Sequence, residues 1–136
     1  QFTKQLVVNH YTLYESTPLF AWLNLMRVHN TGAAFSMLAG ATPWLFVGLS
    51  VVVTIGVMVW LRRHPYTNRL FGLCLALIAG GALGNAIDRA LRGHVIDFVD
   101  FHIGAWHYPA FNVADCAIVV GAILIFVDML FVSRRR

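Results

Sequence analysis

The sequence predicts a mainly α-helical integral membrane protein. It is expected to form a four-transmembrane-helix bundle, the first helix truncated in this chain, with a small outward-facing β cradle between helices 1 and 2. Three observations predict this. Of 136 residues, 59% are hydrophobic and 12% charged, with mean hydropathy +0.70, whereas a soluble domain is about a quarter charged. Three apolar runs are each close to the roughly twenty residues that cross a bilayer core. The net charge of +4 comes from clusters, chiefly Arg62-Arg63-His64 and Arg134-Arg135-Arg136. Charges so gathered argue against a nucleic-acid partner and mark membrane-flanking loops instead. The length admits one domain, residues 1–136.

Residues Gln1 to about Val8 read as the tail of a helix whose start precedes the chain, and no cleavable signal peptide is visible. Asn9 to Ala41 hold Tyr11, Thr12, Tyr14, a break at Pro18 and an apolar, strand-like patch from Trp22 to Val28, which predicts the outer cradle. The next span runs from about Pro43 to Leu61 without a charge. Its Trp44 and Trp60 stand about 24 Å apart on a helix, suited to the two interfaces. Further spans run from about Leu70 to Ile87 and from about Phe111 to Val132. Arg62, Arg63 and Arg69 share one loop and Arg134 to Arg136 end the chain, so the positive-inside rule puts both in the cytoplasm. The segments before Pro43 and from Asp88 to Ala110 then face outward. Ala76, Gly80 and Gly84 recur every four residues and predict a face for close helix packing, a lipid or substrate groove being the alternative. Cys74 and Cys116 sit in apolar runs with no ligand spacing and are expected to be buried hydrophobes.

The chemistry is expected at the outer boundary. Asn85 and Arg89 lie four apart on one helix face, and Asn112 and Asp115 three apart at the head of the last span. Asp97 lies between these segments. Acids beside hydrocarbon are costly and mark a site. Two carboxylates held together resist double ionisation, so one keeps a proton. The ionised member can take a proton from water while the protonated one hydrogen-bonds a carbonyl as its oxyanion forms. The plainer alternative pairs Asp97 with Arg89 or Arg92 and makes Asp115 a helix cap. Asp88 is expected to orient the site through an ion pair or hydrogen bond, Asp100 to face water, and Asp128 to be structural. His94, His102 and His107 with Asp97 fit no standard zinc spacing, so no metal is expected. Ser36 and Ser50 lack the setting of a nucleophile.

Four stretches, in this order and spacing, carry a resemblance. They are Gln1-Phe2-Thr3-Lys4, His29-Asn30-Thr31-Gly32-Ala33-Ala34-Phe35-Ser36, Gly81 to Arg89 running on to Gly93-His94-Val95-Ile96-Asp97-Phe98, and Phe111-Asn112-Val113-Ala114-Asp115. Over nearly the whole chain the sequence resembles the bacterial lipoprotein signal peptidase family, signal peptidase II. The resemblance implies a four-helix aspartic endopeptidase of the bacterial inner membrane, active near its outer face. Such enzymes remove the signal peptide of a prolipoprotein just before its diacylglyceryl-cysteine, without cofactor or metal. It implies a catalytic dyad of Asp97 and Asp115. Asn30, Asn85, Arg89 and Asn112 would line the substrate site and meet globomycin-type inhibitors, with Asp88 supporting. The family's first motif reads Asp-Gln-x-x-Lys, and this chain begins at its Gln. Two other readings compete: a small proton-coupled channel or transporter using the same acids as a relay, and a non-catalytic assembly subunit built on the Ala76-Gly80-Gly84 face.

Overall fold

Where the chain starts and stops its helices is set by a few polar residues flanking long apolar runs. The structure, a computed structural model, describes residues 1–32, 42–65 and 68–133, with side chains through residue 130. The part of the expected cradle beyond Gly32, Ser36 within it, and the terminal arginines lie outside the described residues. Helix α1 spans Phe2–His10. Helix α2, Pro43–Arg63, opens with proline in its first turn, where the missing N–H costs nothing, and closes on Arg62 and Arg63. In α3, Arg69–Arg92, the Asn68 side chain caps the start by accepting from the Leu70 amide at 3.0 Å. Helix α4 spans Val113–Ser133. Among the described residues, α2, α3 and α4 are long and apolar enough to cross a membrane, and α1, with nine residues, is not. Large apolar side chains such as Leu49, Val52, Phe126 and Met129 stand outward, a surface that suits lipid rather than water.

Helix α3 runs five residues past its expected end at Ile87. Asp88 and Arg92 form an i, i+4 ion pair on its last turn, and Gly93 stops it in the left-handed conformation at φ 76°. The close contact with α4 differs in part from expectation: Gly84 of the predicted face meets the Ala114 side chain, but the rest of that face does not. Gly80 and Ala76 are exposed, and Gly81 meets α4: a Cβ there would strike the Ala114 carbonyl and the Ile118 side chain. Gly121 returns the contact against the Cys74 carbonyl and Ile78. Adjacent glycines at 80 and 81 offered two faces one helical position apart, and α4 packs on the second. Cys74 is buried under this seam, but Cys116 is exposed on the opposite, lipid-compatible side of α4.

The cradle is an antiparallel sheet in the order β1-β2-β3-β4: β1 Ser16–Phe20, β2 Leu23–Asn30, β3 Val95–Ile103 and β4 Trp106–His107. It is therefore not confined to the segment between the first two helices, because β3 and β4 come from the link between α3 and α4. Val28 pairs with Asp97 and Asn30 with Val95. Strand side chains alternate in direction. Ile96 and Phe98 pack with Val7 of α1, with Val8, Tyr11, Leu25 and Val99 around them. Burying Ile96 alone contributes about 1.5–3 kcal/mol. That alternation turns Asp97 to the other face, and Val95 through Phe98 are all buried because both faces are covered.

Candidate active site

Asp97 arrives from β3, Asn85 from α3, and Asn112 with Asp115 from the head of α4. Asn112 joins the two acids. Its Nδ2 donates to Asp97 Oδ1 at 2.7 Å, and its backbone N–H donates to Asp115 Oδ2 at 3.0 Å. Its own Oδ1 accepts from the amides of Ala114 and Asp115, at 2.7 and 3.2 Å. This is a reciprocal capping box, in which the helix start and the site are one structure. It also settles the Asn112 amide: with Oδ1 committed to two N–H donors, its NH2 group must face Asp97.

Asn85 is oriented in the same way. Its Oδ1 accepts from Lys4 Nζ at 2.8 Å and from Asn112 Nδ2 at 3.2 Å, so its NH2 faces Asp115 Oδ1, at 2.7 Å. Asn30 Nδ2 donates to Asp97 Oδ2 at 3.0 Å. Each of the four carboxylate oxygens thus takes one amide donor, and no cation touches either acid among the described residues. Each oxygen keeps a second lone pair for water or a substrate atom.

The cations are collected one step away. Asp88, fully buried, holds Lys4 Nζ at 2.7 Å and Arg92 at 2.8 Å, and accepts from the Ile96 backbone N–H at 3.0 Å. It thereby ties α1, α3 and β3 together one residue before Asp97. Arg89 NH2 donates to the Gly32 carbonyl at 2.7 Å, and its guanidinium lies 4.6 Å from the centre of the Phe46 ring. Neither arginine pairs with Asp97, which removes the plainer alternative for that acid. The capping alternative for Asp115 holds alongside its place in the pair: one oxygen caps α4 and the other meets Asn85.

Burial pushes the Asp97 carboxyl up to about 6; hydrogen bonds from Asn30 and Asn112 oppose the rise, the charge of Asp115 adds to it, and Lys4 opposes it. The direction keeps the Asp97 carboxyl protonated nearer to neutral pH than an exposed aspartate.

Asp100 does not face water as expected. It is buried, and accepts from Asn24 Nδ2 and pairs with His107 Nδ1, both at 2.7 Å. The histidines go elsewhere than around Asp97: His94 stacks on His29 at 3.8 Å between ring centres, and His102 on His107 at 4.9 Å. Among the described residues no three acidic, histidine or cysteine side chains gather as metal ligands.

Lys4 was not singled out as a site residue from sequence, although the Gln1-to-Lys4 stretch was noted. It is 3% exposed. A lysine that deep implies a paired acid, but only the fold brings Asp88 to it. Gln1 Nε2 adds a bond to the Gly84 carbonyl at 2.7 Å.

Proteins called lipoprotein signal peptidase are similar along nearly the full chain. That of Cupriavidus taiwanensis is 52% identical, covering 100% of this chain and 78% of that protein. That of Burkholderia thailandensis is 50% identical, covering 96% and 80%, and that of Yersinia enterocolitica 46%, covering 93% and 76%. Two solved bacterial membrane enzymes share the fold. One has a TM-score of 0.90 and 30% identity over 100% of this chain and 83% of that one. The other has a TM-score of 0.82 and 32% identity over 96% and 84%. The model of the family described as signal peptidase (SPase) II matches residues 1–131, and the chain belongs to that family.

Proposed function

We propose that the chain is a single-domain aspartic endopeptidase of the bacterial inner membrane. It removes the signal peptide of a lipid-modified prolipoprotein and cleaves before the diacylglyceryl-cysteine. The observation that carries this reading is the bridge of Asn112 between Asp97 and Asp115 in a signal peptidase II chain. The two acids share one proton. The ionised member takes a proton from water as the water attacks the scissile carbonyl, and the protonated member hydrogen-bonds the developing oxyanion. The proton then passes to the leaving nitrogen, so neither a metal nor a covalent intermediate is needed. Substrate closing over the pocket removes water and raises the cost of a second ionisation.

Asn30, Asn85 and Asn112 hold the carboxylates, and as the substrate binds they and Arg89 also meet its backbone. Globomycin-type peptides compete for the same groups. Asp88 positions β3 and receives Lys4, keeping the cation off the pair. Helix α1 is the outer end of a fourth span, both basic clusters lie in the cytoplasm, and the pair opens at the outer boundary, where an acyl-anchored substrate presents its scissile bond. The test is a purified assay in lipid with a diacylglyceryl-modified prolipoprotein, an unlipidated control and a metal chelator. The reading expects cleavage of the lipidated substrate alone, unaffected by chelator and absent in Asp97→Asn and Asp115→Asn. Turnover by either variant would reject that residue's role.

A further inference from the structure

Beside the pair, on the outer sheet, lies a groove of about 530 Å³ lined by Ser16, Asn24, Met26, Val28, Asp100 and His107. Residues directly opposite in antiparallel strands share a face. Ser16 is opposite Met26, Asn24 opposite Asp100, and Val28 opposite Asp97. Val28 lines the groove and is opposite Asp97, and the register shift between Leu25 and Val28 lets Asp100, an odd number of residues from Asp97, join the same face. The groove's other wall reaches Ala110, two residues before Asn112. Both walls lead to the acid pair. From Val28 to Asn24 the strand advances about 13 Å, room for roughly four residues of extended peptide.

We propose that this groove seats the start of the mature polypeptide, the residues that follow the lipidated cysteine, and that Met26 and His107 read that segment. The inference rests on the peptidase reading above. A substrate cut before a membrane-anchored cysteine has its signal peptide on one side of the scissile bond and its mature chain on the other. The mature chain must leave the lipid, and β3 leads outward from the end of α3 past Asp97 to Asp100. The lining has the character of a peptide subsite: an apolar floor at Met26 and Val28 with polar groups at one end. Asp100 fixes those groups by taking Asn24 Nδ2 and His107 Nδ1, which leaves Asn24 Oδ1 as an acceptor for backbone N–H and His107 Nε2 as a second polar contact.

The test uses two diacylglyceryl-modified prolipoprotein peptides with one signal sequence. One continues several residues past the cysteine, and the other ends at the cysteine as its amide. The unaltered protein is expected to show a lower KM for the longer peptide. Met26→Trp fills the groove and His107→Ala removes its polar end; the His107 ring is half-exposed, so little packing is lost. Each is expected to raise KM for the longer peptide about fivefold, to that of the shorter, with kcat retained. Turnover of the shorter peptide reports that the variant is folded. A parent without preference, or variants that shift both peptides alike or neither, would overturn the groove's role. Asp97→Asn is run on both peptides, and cleavage surviving there would overturn the acid pair while leaving the KM ratio to judge the groove.

Discussion

Asp97 and Asp100 sit three residues apart on one strand, both nearly inaccessible, and the protein treats them in opposite ways. Asp97 lies deep between the end of α3 and the head of α4 with only amides for partners, and burial raises its carboxyl to about 6. Around Asp100 burial also acts upward, but hydrogen bonds from His107 and Asn24 and the nearby histidine charges outweigh it, and its carboxyl falls below the usual value. His107 above it is half-exposed, so solvent is close. Depth and, among the described residues, the absence of a contacting cation, not residue type or strand, separate the raised carboxyl from the lowered one.

The largest effect expected on this contrast is catalytic. Asp97→Asn and Asp115→Asn should each lower cleavage of a lipidated prolipoprotein at least about 10³-fold while the helical circular dichroism is kept. The next is structural and concerns where the cations are kept. Lys4→Met leaves Asp88 buried with one partner fewer and should cost about 3–5 kcal/mol in detergent unfolding, part of it recovered in the double variant Lys4→Met with Asp88→Asn.

A smaller effect divides the two acids by sign. A carboxyl raised in the folded state is penalised once ionised, so Asp97 costs stability progressively as pH rises from about 4 to about 6, and fully above that. Asp97→Asn should therefore raise Tm by a few degrees at pH 7.5 and lose that advantage near pH 4. Asp100, with its lowered value, stabilises above the ordinary carboxylate pKa and loses that contribution as pH falls through its folded value; Asp100→Asn should lower Tm at pH 7.5. Equal signs for the two variants would collapse the comparison. The smallest effect is a pH shift. Asn30 donates to Asp97 and favours its charged form, so Asn30→Ala should move the alkaline limb of kcat against pH upward.

The spans were legible because an apolar run between arginines has little choice in a bilayer, and their ends were misjudged where polar residues continue the helix, as at Asp88 to Arg92, or where a cap delays it, as at Asn112. The patch at Trp22 to Val28 announced β2, but nothing in the sequence marked Val95 to Ile103 as a strand. Val95 to Ile103 is covered on both faces near Asp97 and loses simple alternation, and its partner strand lies about seventy residues earlier. Of the polar side chains now found around Asp97 and Asp115, Asn85 and Asn112 were singled out from spacing, Asn30 only through the family resemblance, and Lys4 by neither. What could not be read was pairing at long range: Lys4 with Asp88, and Asn24 with Asp100. Choosing Gly81 over Gly80 likewise depends on where a second helix lies.

The box that starts α4 has one more consequence. The same Asn112 amide group and Asp115 carboxylate hold the first helical turn and the bridge to Asp97, so a substitution at either would also unpick the helix start, at about 1 kcal/mol for the cap alone. Neither side chain can change without loosening the first turn of the last span, so this corner of the molecule has little freedom to vary.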